Sequence, residues 1–285
     1  MISFILCVKH FKNCYSYNDT WKLLENTLLS VSNQTANNFE IIVVANKILD
    51  KFKEHKNIKN LKFVEVDWNS PTLQNKWQIG NGVSRETGQL NAQYDKGTKY
   101  IKGLQHISET TDERHYIMPM DADDFIHKNL LEYVNNNQDI DVFTVERGFI
   151  LDHNYNFGYI HSKFNQKCGT CNIVSLELLK TIIDFKSLQT VNEQHEIVNL
   201  VGEFIVKKIF GAHIAMYDYF KSKQNVVSKK INFSSVVYNC SHGEQHSNRQ
   251  FKCDLVFSND FVANYILPNT DIYNNVANAN EHEFD

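Results

Sequence analysis

The hydrophobic positions in the first part of the chain fall into short runs separated by a segment with helical spacing. Residues 2–8 and 40–45 are nearly continuous apolar runs, which are typical of strands covered on both faces. The segment between them repeats apolar residues along one helix face: Trp21, Leu24, Leu28 and Val31. This pattern predicts a strand, a helix and a second strand, in that order.

The same alternation continues toward the middle of the chain. Strands are predicted at residues 61–66, 115–120 and 141–145, and helices at residues 95–107 and 128–135. Strands that alternate with helices predict an α/β fold with a mostly parallel sheet flanked by helices.

Two longer segments do not follow this alternation. The polar segment 67–91 contains three glycines and is predicted to be a functional loop or lid, because it is long for a connection inside a compact domain. The regularity then falls after residue 150, although residues 193–210 carry an apolar helix stripe. With no repeat and no clear linker, we predict one domain over residues 1–268, followed by a flexible tail over residues 269–285.

Charge and composition weigh against some classes of protein. The chain has 29 lysine and arginine residues against 33 acidic residues, a net charge of −4, which disfavours a nucleic-acid partner. No run approaches the ~20 apolar residues that span a bilayer, and the apolar N-terminus lacks the basic region of an export signal. We therefore expect a cytoplasmic protein with reduced cysteines and no transmembrane segment, for which peripheral membrane contact stays open.

The most informative group of side chains is Asp121, Asp123 and Asp124, directly after the strand predicted at residues 115–120. Three carboxylates this close repel one another unless a cation or solvent screens them. Ligands of open α/β sheets bind outside the carboxyl ends of the strands, and carboxylate oxygens suit Mg²⁺ or Mn²⁺. The alternative is an acidic turn that only caps the helix beginning near Lys128.

The order of these segments resembles that of the GT-A nucleotide-sugar glycosyltransferases, specifically their family 2-like group. NTLLSVSNQT followed by FEIIVVAN is similar to the family's first β-α-β unit, and DKGTKYIKGLQHI leading into HYIMPMDADDF is similar to its D-x-D segment. The resemblance implies a GT-A, Rossmann-like fold. It also implies that residues 1–147 bind the nucleotide sugar and residues 148–268, where the resemblance fades, bind the acceptor.

The resemblance implies a metal site in the acidic segment. Asp121 would contact the donor ribose and the metal, Asp123 would coordinate the metal directly, and Asp124 would reach it through water or hold the turn. The cofactor would be Mn²⁺ or Mg²⁺. A late histidine is the expected third metal ligand, with His242 preferred and His246 in reserve; the alternative is a solvated loop histidine.

Further residues are implied to contact the donor: Val8, Lys9, His10, Asn46, Lys96 and Lys99. Asn46 stands where many family members carry aspartate to bind the base, so the base stays open, with UDP- or GDP-linked donors favoured. For Lys96 and Lys99 the alternative is a solvated helix face.

The segment 192–196, at the start of a predicted helix, supplies the candidate catalytic residues. The family typically places an acidic residue at such a helix start, which implies Glu193 as the general base. His195 would replace or orient it, because imidazole titrates near neutral pH. The alternative is that Glu193 and Glu196 only complement the helix dipole.

Residues 168–171 have the sequence C-x-x-C. This segment is expected to form a tight turn beside the acceptor, so that Gly169 and Thr170 contact the acceptor. The same spacing is also found in zinc and redox sites, in which Cys168 and Cys171 would be the reactive groups.

The function implied by the resemblance is that of a metal-dependent, inverting glycosyltransferase, which moves a sugar from a nucleotide sugar to a glycan or other hydroxyl acceptor. Surface polysaccharide or glycoconjugate synthesis is the implied setting. The alternatives are a nucleotidyltransferase and a sugar-nucleotide-binding domain without catalytic activity.

Overall fold

The computed structural model describes residues 1–53, 58, 60–73, 82–108, 114–152, 157–240, 242 and 264–265. Its strands are β1 (Ile2–Cys7), β2 (Phe39–Ala45), β3 (Leu61–Glu65), β4 (Tyr116–Asp121), β5 (Phe125–Ile126), β6 (Val142–Val145), β7 (Gly148–Asp152), β8 (Phe157–His161), β9 (Asn172–Ser175), β10 (Ser228–Ile231) and β11 (Val236–Cys240). Its α-helices are α1 (Tyr17–Ser32), α2 (Asp50–Lys53), α3 (Arg85–Leu104), α4 (Leu130–Asn135), α5 (Leu176–Lys180), α6 (Phe185–Leu188), α7 (Gln194–Val201) and α8 (Met216–Lys221). A π-helix spans Ile205–Phe210.

Seven strands form the main sheet, in the order β10-β6-β9-β4-β1-β2-β3. β1 pairs in parallel with both β2 and β4, β2 pairs in parallel with β3, and β10 with β6. Within the described part of this sheet, β9 is the only antiparallel strand, and it pairs with β4 and β6. The predicted α/β class with a mostly parallel sheet is confirmed.

The burial of the central strands accounts for the continuous apolar runs in the sequence. β2 is buried along its whole length and β1 along all but its last residue. The four apolar residues predicted on one face of α1 are each fully buried. Continuous apolar strands are expected where helices cover both faces of a parallel sheet.

Four strands form a second sheet, in the order β5-β11-β7-β8. β11 pairs antiparallel with β5, which follows β4 after a short turn, and pairs in parallel with β7. This pairing carries the end of β11 to the carboxyl end of β4, although the two segments are far apart in the sequence.

Two predicted elements have different bounds. The helix expected from residue 95 begins ten residues earlier, at Arg85, where the Ser84 hydroxyl accepts from the Thr87 amide at 3.1 Å. Part of the segment expected to be a loop, 67–91, is therefore helical, and residues 74–81 lie outside the described residues. The single helix expected over 193–210 is interrupted at Gly202, whose φ of 95° is incompatible with a continuing α-helix.

Close backbone packing joins the π-helix to α3. A Cβ atom on Gly97 would collide with the Val206 carbonyl, and one on Gly211 would collide with the Gln93 carbonyl. Glycine at both positions lets the two helices approach with their backbones in contact.

In the described part of the chain, no helix is both long and apolar enough to span a bilayer. The tail predicted to be flexible, residues 269–285, lies outside the described residues. The single domain over residues 1–268 stays a prediction.

Candidate functional site

A cavity of about 740 Å³ opens at the carboxyl ends of β1 and β4. This is the edge at which ligands of parallel α/β sheets bind. Nine of the residues predicted for the site line the cavity: Val8, Lys9, His10, Lys96, Lys99, Asp121, Asp123, Gly169 and His242. Asn46, Thr170, Glu193 and His195 do not line it.

Asp121 ends β4 beside Cys7 of β1, and its carboxylate forms an ion pair with the Lys96 ammonium of α3. Burial lowers the pKa of Lys96, but the Asp121 carboxylate outweighs burial and leaves this pKa raised. A Cβ atom on Gly169 would collide with the Asp121 carboxylate. Glycine at this position therefore leaves the space that the ion pair occupies.

Asp124 is fully buried and holds the turn after β4 in place. Its carboxylate accepts hydrogen bonds from the Thr170 hydroxyl at 2.6 Å, the Cys168 thiol at 3.2 Å and the backbone N–H of Asn239 at 3.2 Å. Burial raises the pKa of Asp124 well above its ordinary value, and the charges of Asp123 and Asp121 raise it further. Of the two roles expected for Asp124, the structure shows contacts that hold the turn.

Thr170 has a positioning role in the structure. Its hydroxyl accepts a hydrogen bond from the Asp121 amide at 2.8 Å while donating to Asp124. Thr170 is buried behind the cavity wall, whereas Gly169 lines the cavity. The structure thus separates two residues that were expected to face the acceptor together.

Cys168 and Cys171 are buried free thiols. Burial raises the pKa of both, which disfavours the thiolate needed for metal binding or redox exchange. The observed role of Cys168 is to donate a hydrogen bond to Asp124. This geometry gives no support to the zinc or redox interpretation.

Asp123 and His242 meet at the cavity, with His242 Nε2 2.8 Å from Asp123 Oδ2. Two atoms that bind one octahedral cation at neighbouring positions, each at about 2.1 Å, lie about 3 Å apart. In the structure the two atoms contact each other directly, and their separation is close to that of two neighbouring ligands of a Mg²⁺ or Mn²⁺ ion. His246 lies outside the described residues.

The expected set of three protein ligands is not assembled. Asp121 contacts Lys96 instead. Within the described ranges, no three histidine, cysteine or acidic side chains gather closely enough to hold a metal ion by themselves. A cation held here would take its other ligands from water or from a bound substrate, as Mg²⁺ commonly does.

The end of β1 forms the other side of the cavity. The buried Lys99 ammonium donates to the Val8 carbonyl at 2.9 Å and to the Asp95 carboxylate at 2.7 Å. His10 stacks on Phe11, with ring centroids 4.3 Å apart. Burial lowers the pKa of His10, and the Lys99 charge lowers it further, which favours the neutral imidazole.

Asn46 lies behind this wall and joins the ends of two strands. Its amide nitrogen donates to the Val66 carbonyl at 3.3 Å and to the Trp68 carbonyl at 3.1 Å. Its Oδ1 is buried without a hydrogen-bond partner. The structure places Asn46 next to the expected base-binding region but not on the surface of the cavity.

Glu193 and His195 are exposed, and the structure does not bring them to the cavity. Glu193 is the N-cap of α7 and forms a capping box with Glu196, whose carboxylate accepts from the Glu193 amide at 3.0 Å. Such a box satisfies amide groups that the first helical turn leaves without partners. The structure thus shows Glu193 in a helix cap at the N-terminus of α7, where the alternative to catalysis had Glu193 and Glu196 complement the helix dipole.

The sequence analysis missed several lining residues, among them Asp95 and His213. Asp95 pairs with Lys99 four residues later on α3, and this spacing in the sequence was a usable signal. His213 lines the cavity from the turn before α8, and nothing in the local sequence indicates this position.

No family model matches the sequence, and no curated protein matches it. Solved structures are similar in fold. TarS of S. aureus matches with a TM-score of 0.46 and 14% identity, over 84% of this chain and 37% of TarS. The galactosyltransferase LgtC, solved with donor and acceptor sugar analogues, matches with a TM-score of 0.35 and 9% identity, over 85% of this chain and 88% of LgtC.

A third similar structure is 4-diphosphocytidyl-2C-methyl-D-erythritol synthase from Anaerococcus prevotii. It matches with a TM-score of 0.36 and 14% identity, over 81% of this chain and 86% of the synthase. This chain thus spans little more than a third of TarS, but most of the other two proteins. At these identities the likeness concerns the fold alone.

Proposed function

We propose that this protein transfers a sugar from a nucleotide-sugar donor to a hydroxyl acceptor in the 740 Å³ cavity. The observation that carries the proposal is the arrangement at the end of β4. Asp121 and Asp123 are separated by one residue, and both line the cavity. Asp121 contacts the Lys96 ammonium, and Asp123 contacts the His242 imidazole. A carboxylate, an ammonium and a histidine in one cavity are suited to a ligand that carries both hydroxyl and phosphate groups.

The size and charge of the cavity support a nucleoside diphosphate sugar as the ligand. Its volume lies within the range of about 300–1,000 Å³ that is usual for small-molecule sites. Five lysine and arginine side chains line its described part, against three carboxylates. The lysines and arginines are Lys9, Arg85, Lys96, Lys99 and Lys167. This excess of positive charge favours an anionic ligand.

The proposed cofactor is Mn²⁺ or Mg²⁺, held by Asp123 and His242. When bound, the cation supplies Lewis-acid stabilisation of the departing diphosphate. Asp121 and Lys96 are proposed to contact the donor beside it.

Val8, Lys9, His10 and Lys99 are proposed to form the nucleotide side of the cavity, and Gly169 the acceptor side. UDP- and GDP-linked sugars are the favoured donors, and a glycan is the favoured acceptor. Synthesis of a surface polysaccharide or glycoconjugate is the proposed setting, by analogy with the resembled family.

Thermal unfolding with a panel of ligands tests this proposal. The panel contains UDP-, GDP-, CMP- and dTDP-linked sugars and free nucleoside triphosphates, each with and without Mn²⁺. A ligand at 100 times its Kd adds about 2.7 kcal/mol to stability. We expect one nucleotide-sugar class to raise the Tm in a Mn²⁺-dependent way, and the effect to be lost in Asp123→Asn. Asp139→Asn, an exposed aspartate outside the cavity lining, is the matched control.

The alternatives give different results in the same assay. Stabilisation by a nucleoside triphosphate, followed by pyrophosphate release with a sugar phosphate, would indicate a nucleotidyltransferase. Stabilisation by a nucleotide sugar without release of nucleotide would indicate a binding domain. A panel that leaves the Tm unchanged would overturn the proposal.

A further inference from the structure

Two large apolar side chains at the ends of the π-helix segment are exposed to solvent. Phe204, directly before the π-helix, is 54% exposed, and Ile214, in the turn after it, is 57% exposed. Ile214 also lines the cavity. Single exposed apolar residues are common on protein surfaces, whereas a group of them marks a place of contact with a partner or a membrane.

Contacts with α8 connect these two positions. The rings of Phe204 and Tyr219 have centroids 5.7 Å apart, and the Lys223 ammonium lies over the Tyr219 ring, 4.2 Å from its centroid. One helical turn earlier, the Ala215 carbonyl accepts from the Tyr219 amide at 2.9 Å. Ala215 directly follows Ile214, so the exposed apolar groups and an ammonium lie on one continuous stretch of surface.

Two more lysines extend this surface to the rim of the cavity. Lys207 Nζ lies 5.6 Å from the ring centroid of Tyr94 on α3. The Lys208 ammonium donates to Gln93 Oε1 at 3.4 Å, and Gln93 lines the cavity. We define the aromatic–basic patch by six residues: Phe204, Lys207, Lys208, Ile214, Tyr219 and Lys223.

The patch lies in a positively charged segment of a chain whose net charge is −4. Between positions 203 and 223 the sequence has four lysines against two acidic residues, an excess of two positive charges. One of the acidic residues, Glu203, pairs with Lys207 at 2.5 Å. Lys208 and Lys223 therefore supply the excess positive charge of the patch.

We propose that the aromatic–basic patch binds the surface of a membrane that contains anionic phospholipids. Aromatic and aliphatic side chains enter the boundary between headgroups and acyl chains, while neighbouring lysines contact the anionic headgroups. Lysine is depleted in protein–protein interfaces, so three lysines among the exposed apolar groups favour a lipid surface over a protein partner. The same lipid surface repels the net negative remainder of the chain, which orients the patch toward the bilayer.

Docking through the patch places the mouth of the cavity at the bilayer surface. Ile214 belongs to the patch and to the cavity lining, and Lys208 contacts the lining residue Gln93. This inference goes beyond the proposed sugar transfer, because binding to lipid requires neither a nucleotide sugar nor a cation. The two proposals can therefore be tested separately.

Vesicle flotation with the full chain, without nucleotide sugar, tests the inference. The vesicles contain phosphatidylcholine alone or phosphatidylcholine mixed with phosphatidylglycerol. We expect the wild-type chain to bind the mixed vesicles but not the neutral ones. Added salt should release it, because salt screens the charges of the lysines and the headgroups. Equal binding to both kinds of vesicle, or binding to neither, would overturn the inference.

Substitutions test the apolar and the charged parts of the patch separately. In Phe204→Ser we expect binding to mixed vesicles to be at least about 10-fold weaker, because the benefit of burying an aromatic side chain is lost. A lysine near an anionic membrane contributes about fivefold to binding, so Lys208→Gln combined with Lys223→Gln should weaken binding by about 25-fold.

The chain offers matched controls for both substitutions. Val227→Ser removes an exposed apolar side chain outside the patch, and Lys163→Gln combined with Lys180→Gln removes two exposed lysines outside it. These controls should bind the mixed vesicles as tightly as the wild-type chain does. Patch variants that bind as tightly as their controls would show that the patch does not contact lipid.

Hydrogen exchange of the wild-type chain gives a test that needs no substitution. With mixed vesicles present, we expect slower exchange within residues 203–223. Slowing confined to other segments would contradict the inference. Self-association of the free chain that Phe204→Ser abolishes would also contradict it, since the patch would then bind a second copy of the chain. Vesicle binding through the patch by a chain that binds no nucleotide sugar would support this inference and overturn the proposed function.

Discussion

The Asp123 carboxylate and the His242 imidazole meet at 2.8 Å although 119 positions separate them in the sequence. The side chain of His242 is 2% exposed and that of Asp123 is 23% exposed, so the contact is formed at a partly enclosed edge of the cavity. It exists because β11 pairs with β5, which lies directly after the acidic turn. Sheet pairing therefore brings together the two side chains proposed to bind the cation.

Replacing His242 should weaken cation binding and leave the fold intact. His242→Gln removes one of the two proposed protein ligands, so we expect the Kd for Mn²⁺ to rise by at least 10-fold, an effect seen even when outer partners of a metal site are lost. The free Mn²⁺ signal in electron paramagnetic resonance measures this Kd. His106→Gln, beyond the end of α3, is the matched histidine control. Equal Mn²⁺ affinity in both variants would contradict the assignment.

The Thr170 hydroxyl should make a large contribution to stability. Thr170→Val keeps the shape but removes the donor to Asp124 and the acceptor for the Asp121 amide. Because both groups lose a partner and Asp124 is buried, we expect a loss of about 3 kcal/mol in the free energy of unfolding. Urea denaturation measures it. Thr181→Val, an exposed helix-end position, should change stability by less than about 0.5 kcal/mol.

Adding one methyl group at Gly169 should disturb the ion pair between Asp121 and Lys96. The new Cβ in Gly169→Ala would collide with the Asp121 carboxylate and crowd the Lys96 ammonium. We expect a stability loss of about 1–3 kcal/mol, as in other overpacked sites, and at least a 10-fold loss in donor affinity. Urea denaturation and calorimetry measure the two effects. An unchanged donor affinity would show that the pair does not contact the donor.

A buried histidine at the opposite end of the sheet should make stability depend on pH. His115 Nε2 lies 2.7 Å from the Ser3 hydroxyl, and burial lowers the pKa of His115 to about 4. The unfolded chain, with a histidine pKa near 6.5, therefore binds a proton that the folded chain excludes. The stabilisation is fully present above about pH 6.5 and is lost as the pH falls toward 4. The total loss is about 3 kcal/mol.

Urea denaturation between pH 7 and pH 4.5 checks this dependence. In this window we expect the wild-type chain to lose stability more steeply than His115→Gln does. His195→Gln, at an exposed position, should follow the wild-type curve. Parallel curves for wild type and His115→Gln would show that other groups cause the pH dependence.

Five strands of the main sheet (β1 to β4 and β6), the class of the fold and the acidic edge could be predicted from the sequence alone. β1, β2 and β4 are buried on both faces, so their apolar runs are visible without any partner, and the acidic residues follow β4 directly. The parallel order follows from the alternation of strands and helices. These features depend on neighbours in the chain, which is why local patterns were sufficient to predict them.

Which side chains share the cavity depends on the tertiary structure. It joined Asp123 to His242, turned Asp121 toward Lys96 and brought in His213. It also placed Asn46 behind the wall and Glu193 in a helix cap. Each outcome depends on strand pairing or helix packing between distant segments, and a local pattern carries no information about such contacts.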